Sequence, residues 1–451
     1  MKIALISTYD MGRQPFGLAS PAAWLRREGH DVESIDLAVR PLPEAAIRAA
    51  GMVAFFLPMH TATRLALPVI DRVKRVNPRA LLAAYGLYAP LSAKVLREHG
   101  VTAIAGGEFE ASLVSFARGE SAPEISLERL QFITPDRSGL NGGYANYAML
   151  RIADEARQVA YTEASRGCKH LCRHCPVVPV YQGNFRIVQR DVVLADIRQQ
   201  VAAGARHVTF GDPDFFNGPT HAMRIVEDLH REFPDVTYDA TIKIEHLLKH
   251  HKLLPRLRET GCLFVISAVE SVDDLVLEKL QKNHTRQDFF DVAGRMRDAA
   301  LTLQPTFIAF TPWTTLAGYR DLLRALVELD LVENVAPVQL ALRLLVAEGS
   351  GLRELPEFAA SSEWTNADPR VEALADRVFS LVAERQGRTG RRGPTSVSDA
   401  DAALRRAPVR EEHNASRTAI FAEICAAAGF EPDLNLLPRA AIPYLDEPWY
   451  C

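Results

Sequence analysis

The sequence predicts two successive α/β units and a helical end. An N-terminal doubly wound, Rossmann-like parallel sheet occupies residues 1–120 and a linker 121–158. A (βα)6 partial TIM barrel follows over 159–350, and a helical C-terminal extension over 351–451. Three observations predict this. Short apolar runs alternate with amphipathic stretches as far as Gly119. A weakly patterned segment follows, and the same alternation restarts near Val159. Such alternation winds helices around a parallel sheet, because each return to a parallel strand needs a long crossover. A chain of 451 residues is also too long for one ordinary core.

In the first unit, strands are expected at 2–7, 52–57, 80–85 and 102–105, with helices at 21–28, 62–76 and 89–99 between them. Ligands on such sheets sit at the carboxyl ends of strands, here 8–17, 58–61, 86–89 and 106–110. Within the linker, Asn141-Gly142-Gly143 is a turn signal. Strands of the second unit are expected at 159–162, 206–210, 236–242, 263–267, 302–310 and 337–345, with helices at 192–203, 219–232 and 285–299. Barrels of this kind carry their chemistry at the C-terminal face of the strands. Beyond Gly351, helices are expected at 369–386 and 415–428, separated by a solvated Gly/Arg-rich loop at 387–394.

Composition narrows the class. A formal net charge of −4 gives no broad basic surface, so nucleic acid is not an expected partner. The first residues, Met1-Lys2-Ile3-Ala4-Leu5-Ile6-Ser7, read as a strand and not as a signal peptide. No apolar run reaches the roughly 18 residues of a membrane span. Six cysteines, three of them crowded together, do not make a disulfide framework. A reducing, cytoplasmic location is expected, and Cys262, beside a buried apolar run, is expected in the core.

The strongest motif follows the first strand of the second unit: Ser165-Arg166-Gly167-Cys168-Lys169-His170-Leu171-Cys172-Arg173-His174-Cys175-Pro176. The Cys-x3-Cys-x2-Cys spacing of Cys168, Cys172 and Cys175 puts three thiolates on one tight loop. Iron–sulfur clusters use thiolate ligands, usually four. With no fourth cysteine nearby, one iron stays open, as a catalytic metal site requires. Zinc bound by these cysteines with His170 or His174 is the competing reading.

This motif resembles the hallmark of the radical S-adenosylmethionine (SAM) superfamily. The resemblance implies a [4Fe-4S] cluster whose open iron binds SAM, release of a 5′-deoxyadenosyl radical, and a reductant such as ferredoxin or flavodoxin. His174 stands where the family commonly has an aromatic residue. Other strand ends resemble the family's SAM-binding segments in order. Gly211, Asp212 and Asp214 follow the second strand, where a carboxylate suits the SAM ammonium. Ser267 and Glu270 follow the fourth, where the family contacts the ribose. Lys243 ends the third strand and Arg343 lies on the expected sixth. Each also has a structural reading: an Asp-Pro turn, a helix-start carboxylate, an exposed ion pair.

The first unit resembles the cobalamin-binding domain that precedes many radical SAM cores, with Gly106, Gly107 and Glu108 matching the segment after its last strand. Glycines there would let the backbone approach a bulky ligand. No Asp-x-His-x-x-Gly occurs; Tyr9-Asp10-Met11-Gly12 stands in its place. A corrinoid-free lid domain is the alternative. Gln14-Pro15-Phe16-Gly17, Pro58-Met59-His60-Thr61, Tyr85-Gly86-Leu87-Tyr88 and Cys175-Pro176-Val177-Val178 together look like the CUAEP/CCAEP-tail radical SAM (seleno)protein family. That resemblance makes Cys451 a catalytic redox residue, with an in-frame selenocysteine codon expected after it. The implied activity is a SAM-cleaving transferase, methylating or otherwise functionalising an unactivated carbon with cobalamin. A corrinoid-free radical enzyme and a non-catalytic iron–sulfur or metalloid-binding redox protein are the other readings.

Overall fold

The computed structural model describes residues 1–140, 146–385, 417–432 and 442–446. The turn at 141–143, the Gly/Arg-rich loop 387–394, the first residues of the expected 415–428 helix and Cys451 lie outside them.

The first sheet contains β1 (Lys2–Ser7), β2 (Asp31–Asp36), β3 (Met52–Phe56), β4 (Leu81–Tyr85), β5 (Ala103–Gly107) and β6 (Ile125–Ser126). Its order is β2-β1-β3-β4-β5-β6, with every neighbouring pair parallel. Both faces are covered. Ile3, Leu5, Met52 and Ala54 pack on helices Phe16–Arg27 and Phe109–Ala117. Ala4, Ile6, Val53 and Phe55 pack on helix His60–Val76. Burial on two sides explains the uninterrupted apolar runs of the central strands. The edge strand β2 has only one neighbour, and its polar sequence Asp-Val-Glu-Ser-Ile-Asp carries no such run, so it was not expected. The winding direction reverses between β1 and β3, which opens a crevice beyond Ser7 and Phe56.

The second sheet contains β7 (Met149–Ile152), β8 (Glu155–Thr162), β11 (His207–Phe210), β12 (Thr237–Thr241), β13 (Cys262–Glu270), β14 (Thr302–Phe307) and β15 (Tyr444–Leu445); β9 (Ser165–Gly167) and β10 (Phe185–Ile187) form a separate hairpin. Five strands, in the order β14-β13-β12-β11-β8, are parallel and curl into a half-barrel. Antiparallel β7 and β15 extend its other edge. The amide of Gln304 on β14 donates to the carbonyl of Pro443 beside β15 at 2.5 Å, linking the two edges.

The sixth barrel strand is a correction. Instead of a strand at 337–345, the chain makes a 3-10 turn at Pro337–Leu340 and one isolated bridge between Phe310 and Arg343. Pro337 has no N–H for a ladder. Side chains take the place of the missing strand: Asn334 Nδ2 donates to Leu303 O at 2.7 Å, and Gln339 accepts from the Phe307 N–H at 3.2 Å.

Helices Pro369–Arg385 and Arg417–Ala427 pack Val371, Leu374, Val378, Ile420 and Ile424 into the barrel's outer core. Cys262 is in the same core and fully buried, as expected. Among the described residues no helix is long and apolar enough to cross a membrane.

Candidate functional site

The three cysteines lie on the loop between β9 and β10, just beyond the C-terminal end of β8. Gly167 opens this loop with φ +75°; a Cβ there would lie 2.4 Å from the Tyr181 ring and 2.5 Å from Asn184 O. Only glycine meets both demands. The loop is tied down on several sides. Asn217, after β11, accepts from Lys169 N at 3.1 Å, and its backbone carbonyl accepts from Lys169 Nζ at 2.5 Å. Arg173 N donates to Leu280 O at 3.0 Å, and Ser350 Oγ donates to Arg173 O at 2.6 Å. Cys172 is buried, while Cys168 and Cys175 are partly open. Burial pushes the Cys175 thiol up to about 12 and raises that of Cys168. Thiols in such a setting become thiolates when a bound metal supplies the compensating positive charge. The donor set therefore fits an iron–sulfur cluster.

The two aspartates after β11 separate into different roles. Asp212 accepts from Ala164 N at 2.9 Å and from Ser165 Oγ at 2.5 Å, bracing the root of the cysteine loop. Burial raises its carboxyl to about 7. Gly211 leaves room for the Tyr161 hydroxyl, which a Cβ would meet at 1.9 Å. Asp214 instead turns toward the cysteines: its Oδ2 lies 2.7 Å from His246 Nδ1 and 3.5 Å from His170 Nε2. Burial alone would raise its carboxyl, but the two imidazoles hold it below the usual range. Lys243 is buried and pairs with Glu245 at 3.3 Å.

Glu270 ends β13 in the left-handed region, φ 68°, at a register shift between Ala268 and Glu270. A non-glycine residue held there stores backbone strain of the kind found at functional sites. The turn aims its carboxylate at Lys282 Nζ, 3.2 Å away, and at His174 Nε2, 3.1 Å away. Burial opposes ionisation of Glu270, but Lys282 and His174 overcome it and bring the carboxyl down to about 2. His174 thus links the cysteine loop to β13. Ser267, one turn of the pleat earlier, is fully buried and its Oγ has no hydrogen-bond partner among the described residues.

Arg343 stands apart from this group. It pairs with Glu372 at 2.8 Å and stacks on Trp364 at 4.3 Å, so it anchors the C-terminal helix.

Arg166, two residues before the first cysteine, joins the two sheets. It donates to Glu110 through both terminal nitrogens and to Glu163 through Nε at 2.6 Å, and lies 3.5 Å from Glu108. Tyr181 Oη donates to Glu108 at 3.1 Å. Burial raises the Glu108 carboxyl to about 7 despite Arg166. Gly106 and Gly107 have local reasons to be glycine: a Cβ would meet Pro90 at 2.6 Å and Ser126 O at 2.2 Å respectively. The first sheet's loop after β1 also reaches the barrel, with Gly12 O accepting from Ala148 N at 2.7 Å and Arg13 stacked on Tyr161 at 5.0 Å. Beneath it, a cavity of about 240 Å³ is lined by Met11, Arg13, Thr241, Ile266, Gln304 and Arg417, among others.

Sequence reasoning missed Asn217, Lys282 and Arg166. Asn217 and Lys282 sit outside any motif, and Arg166 lies inside one whose cysteines dominate it.

Residues 162–311 match the family profile described as the Radical SAM superfamily. Hopanoid C-3 methylase of Methylococcus capsulatus is 25% identical over 325 residues, covering 66% of this chain and 62% of that protein. Ribosomal protein uS12 methylthiotransferase RimO of Parabacteroides distasonis is 22% identical over 183 residues, 39% of this chain and 42% of that protein. The chain thus spans about two fifths to three fifths of these curated relatives. Among solved structures, the cobalamin-dependent SAM radical enzyme OxsB, with aqua-cobalamin and SAM bound, superposes with TM-score 0.67 at 12% identity, over 98% of this chain and 77% of that one. The radical SAM methyltransferase TsrM of Kitasatospora setae, with cobalamin and a [4Fe-4S] cluster bound, gives TM-score 0.57 at 14% identity, over 73% of each chain. Identities this low speak for the fold.

Proposed function

We propose that this chain, which carries a radical SAM domain over residues 162–311, cleaves SAM at a [4Fe-4S] cluster and transfers a methyl or alkyl group to an unactivated carbon with the help of cobalamin. The observation that carries the reading is the loop of Cys168, Cys172 and Cys175, held beyond the C-terminal ends of the half-barrel strands and tied to the Rossmann-like sheet through Arg166–Glu110 and Tyr181–Glu108. When bound, the cluster supplies the electron that splits the SAM sulfonium, and the corrinoid supplies a carrier for the transferred group.

The chain's own residues bind and orient. Cys168, Cys172 and Cys175 would hold three irons. Asp214, kept ionised beside them, suits the ammonium of SAM, and the unpartnered Ser267 Oγ offers a hydrogen bond in the same region. Glu270, Lys282 and His174 brace the loop. For cobalamin the fit is to a location: the crevice at the β1/β3 reversal opens toward the barrel. The loop after β1 offers Tyr9, Asp10 and Met11 and would supply no imidazole to a corrinoid.

Anaerobic reconstitution of the full chain should give a cubane Mössbauer signature that is lost in C168A, C172A and C175A. A zinc-only product in the wild type would end this reading. Retention of a corrinoid spectrum with formation of S-adenosylhomocysteine supports transfer. Release of 5′-deoxyadenosine without retained corrinoid selects the corrinoid-free alternative. An electron carrier such as ferredoxin or flavodoxin would supply the reductant.

A further inference from the structure

One group of potential ligands beside the cysteine loop is not used by that reading as a whole. Cys168 Sγ, a ring nitrogen of His170 and a carboxylate oxygen of Asp214 all lie within 4.8 Å of one another. His246 is not part of that mutually close set; its Nδ1 lies 2.7 Å from Asp214 Oδ2 and holds that carboxylate. We infer that, in the chain without its cluster, Cys168, His170 and Asp214 form a mononuclear three-ligand site for a zinc-like divalent cation, with His246 positioning Asp214, and that its occupancy competes with cluster assembly.

Three features support a metal site over a simple ion pair. First, His170 Nε2, His246 Nδ1 and Asp214 Oδ2 are all buried without a hydrogen-bond partner among the described residues, although they are only 2.7 and 3.5 Å apart. Asp214 Oδ2 is thus held between two imidazoles without a well-formed hydrogen bond to either. Ligand atoms around a tetrahedral zinc ion are separated by about 3.3–3.7 Å, given bonds of about 2.0–2.3 Å, a spacing that His170 Nε2 and Asp214 Oδ2 already have at 3.5 Å. Second, the donors come from two elements, the cysteine loop and the turn after β11, and His246 on helix Ile244–Lys249 after β12 holds Asp214 from a third. That gives a set fixed by tertiary structure, and the His170 and His246 rings are 4.8 Å apart at 60°. Third, the far side is equipped. The other ring nitrogen of His170 lies 3.5 Å from Glu245, the carboxylate–histidine–metal arrangement that orients a ligand imidazole. Asp214 is fixed through its second oxygen, which accepts from Phe216 N at 3.1 Å.

One thiolate, one imidazole and one carboxylate, leaving a fourth position for solvent, suit a borderline-soft cation such as zinc. The set uses Cys168 and omits Cys172 and Cys175. Since a cubane needs the Cys168 thiolate, the single ion and the cluster exclude each other; this last clause rests on the cluster reading above, whereas the ion site does not.

The test uses the full chain stripped of metal. Titration with Zn²⁺ against a chromophoric chelator should give one tight ion per chain, and Co²⁺ should show a thiolate charge-transfer band with intense tetrahedral d–d bands. C168S should remove the charge-transfer band, H246Q and D214N should each weaken zinc binding about 10- to 100-fold, and C175S should leave it unchanged. Equal weakening by C175S and C168S would mean the three cysteines hold the ion, and would overturn the inference, as would the lack of stoichiometric binding. Preloaded zinc should slow iron–sulfur assembly in the wild type several-fold and have little effect in H246Q; equal slowing in both overturns the competition. A chain that binds zinc as described yet never takes up a cluster would sink the proposed function and leave the ion site standing.

Discussion

Arg166 and Glu110 are joined by two parallel hydrogen bonds, of 2.9 and 2.6 Å, across the boundary between the two sheets. Glu108 and Glu163 face the same guanidinium, so one buried cation holds three carboxylates within two residues of Cys168. Removing the cation is therefore worse than removing one anion. Arg166→Met should cost about 3–5 kcal/mol, the range for an uncompensated buried charge, and Glu110→Gln about 1–3 kcal/mol. Denaturation midpoints of the two variants give the order; a milder Arg166→Met would contradict the account.

Glu108, in the same cluster, sets a pH dependence. Burial raises its carboxyl from 4.5 to about 7 in the folded chain. The folded state then binds the proton more tightly than the unfolded state. Its contribution is fully present below about 4.5 and is lost as pH climbs through about 7. Glu108→Gln cannot ionise, so it should gain stability relative to the wild type between pH 4.5 and 7 and hold that gain above it. Thermal melts of both proteins across this interval check the sign.

Glu270 and Lys282 behave oppositely. Lys282 and His174 hold the Glu270 carboxyl near 2, below its ordinary 4.5, against the effect of burial. The stabilisation is complete above about 4.5 and disappears as pH falls toward 2. Glu270→Gln strips the buried ammonium of its ion-pair partner, whereas Lys282→Met leaves the carboxylate bonded to His174. Glu270→Gln should be the more damaging, costing about 3–5 kcal/mol at neutral pH. A double-mutant cycle measures the coupling, which should shrink on acidification.

Gly167→Ala tests the geometry of the cysteine loop. At φ +75°, with Asn184 O 2.5 Å from the new Cβ, the backbone must move. The left-handed conformation alone costs alanine about 1 kcal/mol, and the clash adds to it. Iron bound per chain after reconstitution should fall several-fold while the far-ultraviolet circular dichroism stays near wild type. Full iron loading in Gly167→Ala would show that the loop does not depend on this turn.

How much of this was legible in the sequence follows from how local each signal is. The cysteines, with Gly167 before them, are contiguous, and both sheets announce themselves through apolar runs. Asp212 and Asp214 are two residues apart in one motif, so the sequence cannot say which braces Ser165 and which faces His246; the turn after β11 decides. Lys282 is twelve residues past Glu270 in an unremarkable polar stretch and becomes a partner only through the helix Asp274–Leu280 between them. Arg343 falls within an apolar run at 337–345 whose pattern resembles a sixth strand, and the sequence carries no sign of its pairing with Glu372.

That missing strand yields the last prediction. The free edge of β14 would leave Leu303 O and the Phe307 N–H unpaired, and an unsatisfied buried backbone group costs about 1–3 kcal/mol. Asn334 meets the first as a donor and Gln339 the second as an acceptor, so the two amides are not equivalent. Gln339→Glu keeps an acceptor, while Asn334→Asp replaces a donor with an oxygen facing a carbonyl. Asn334→Asp should therefore be the more destabilising at neutral pH. Hydrogen exchange reads the edge directly: the Phe307 amide should exchange faster in Gln339→Met and stay protected in Gln339→Glu. Unchanged protection in Gln339→Met would mean that something other than this side chain closes the barrel's edge.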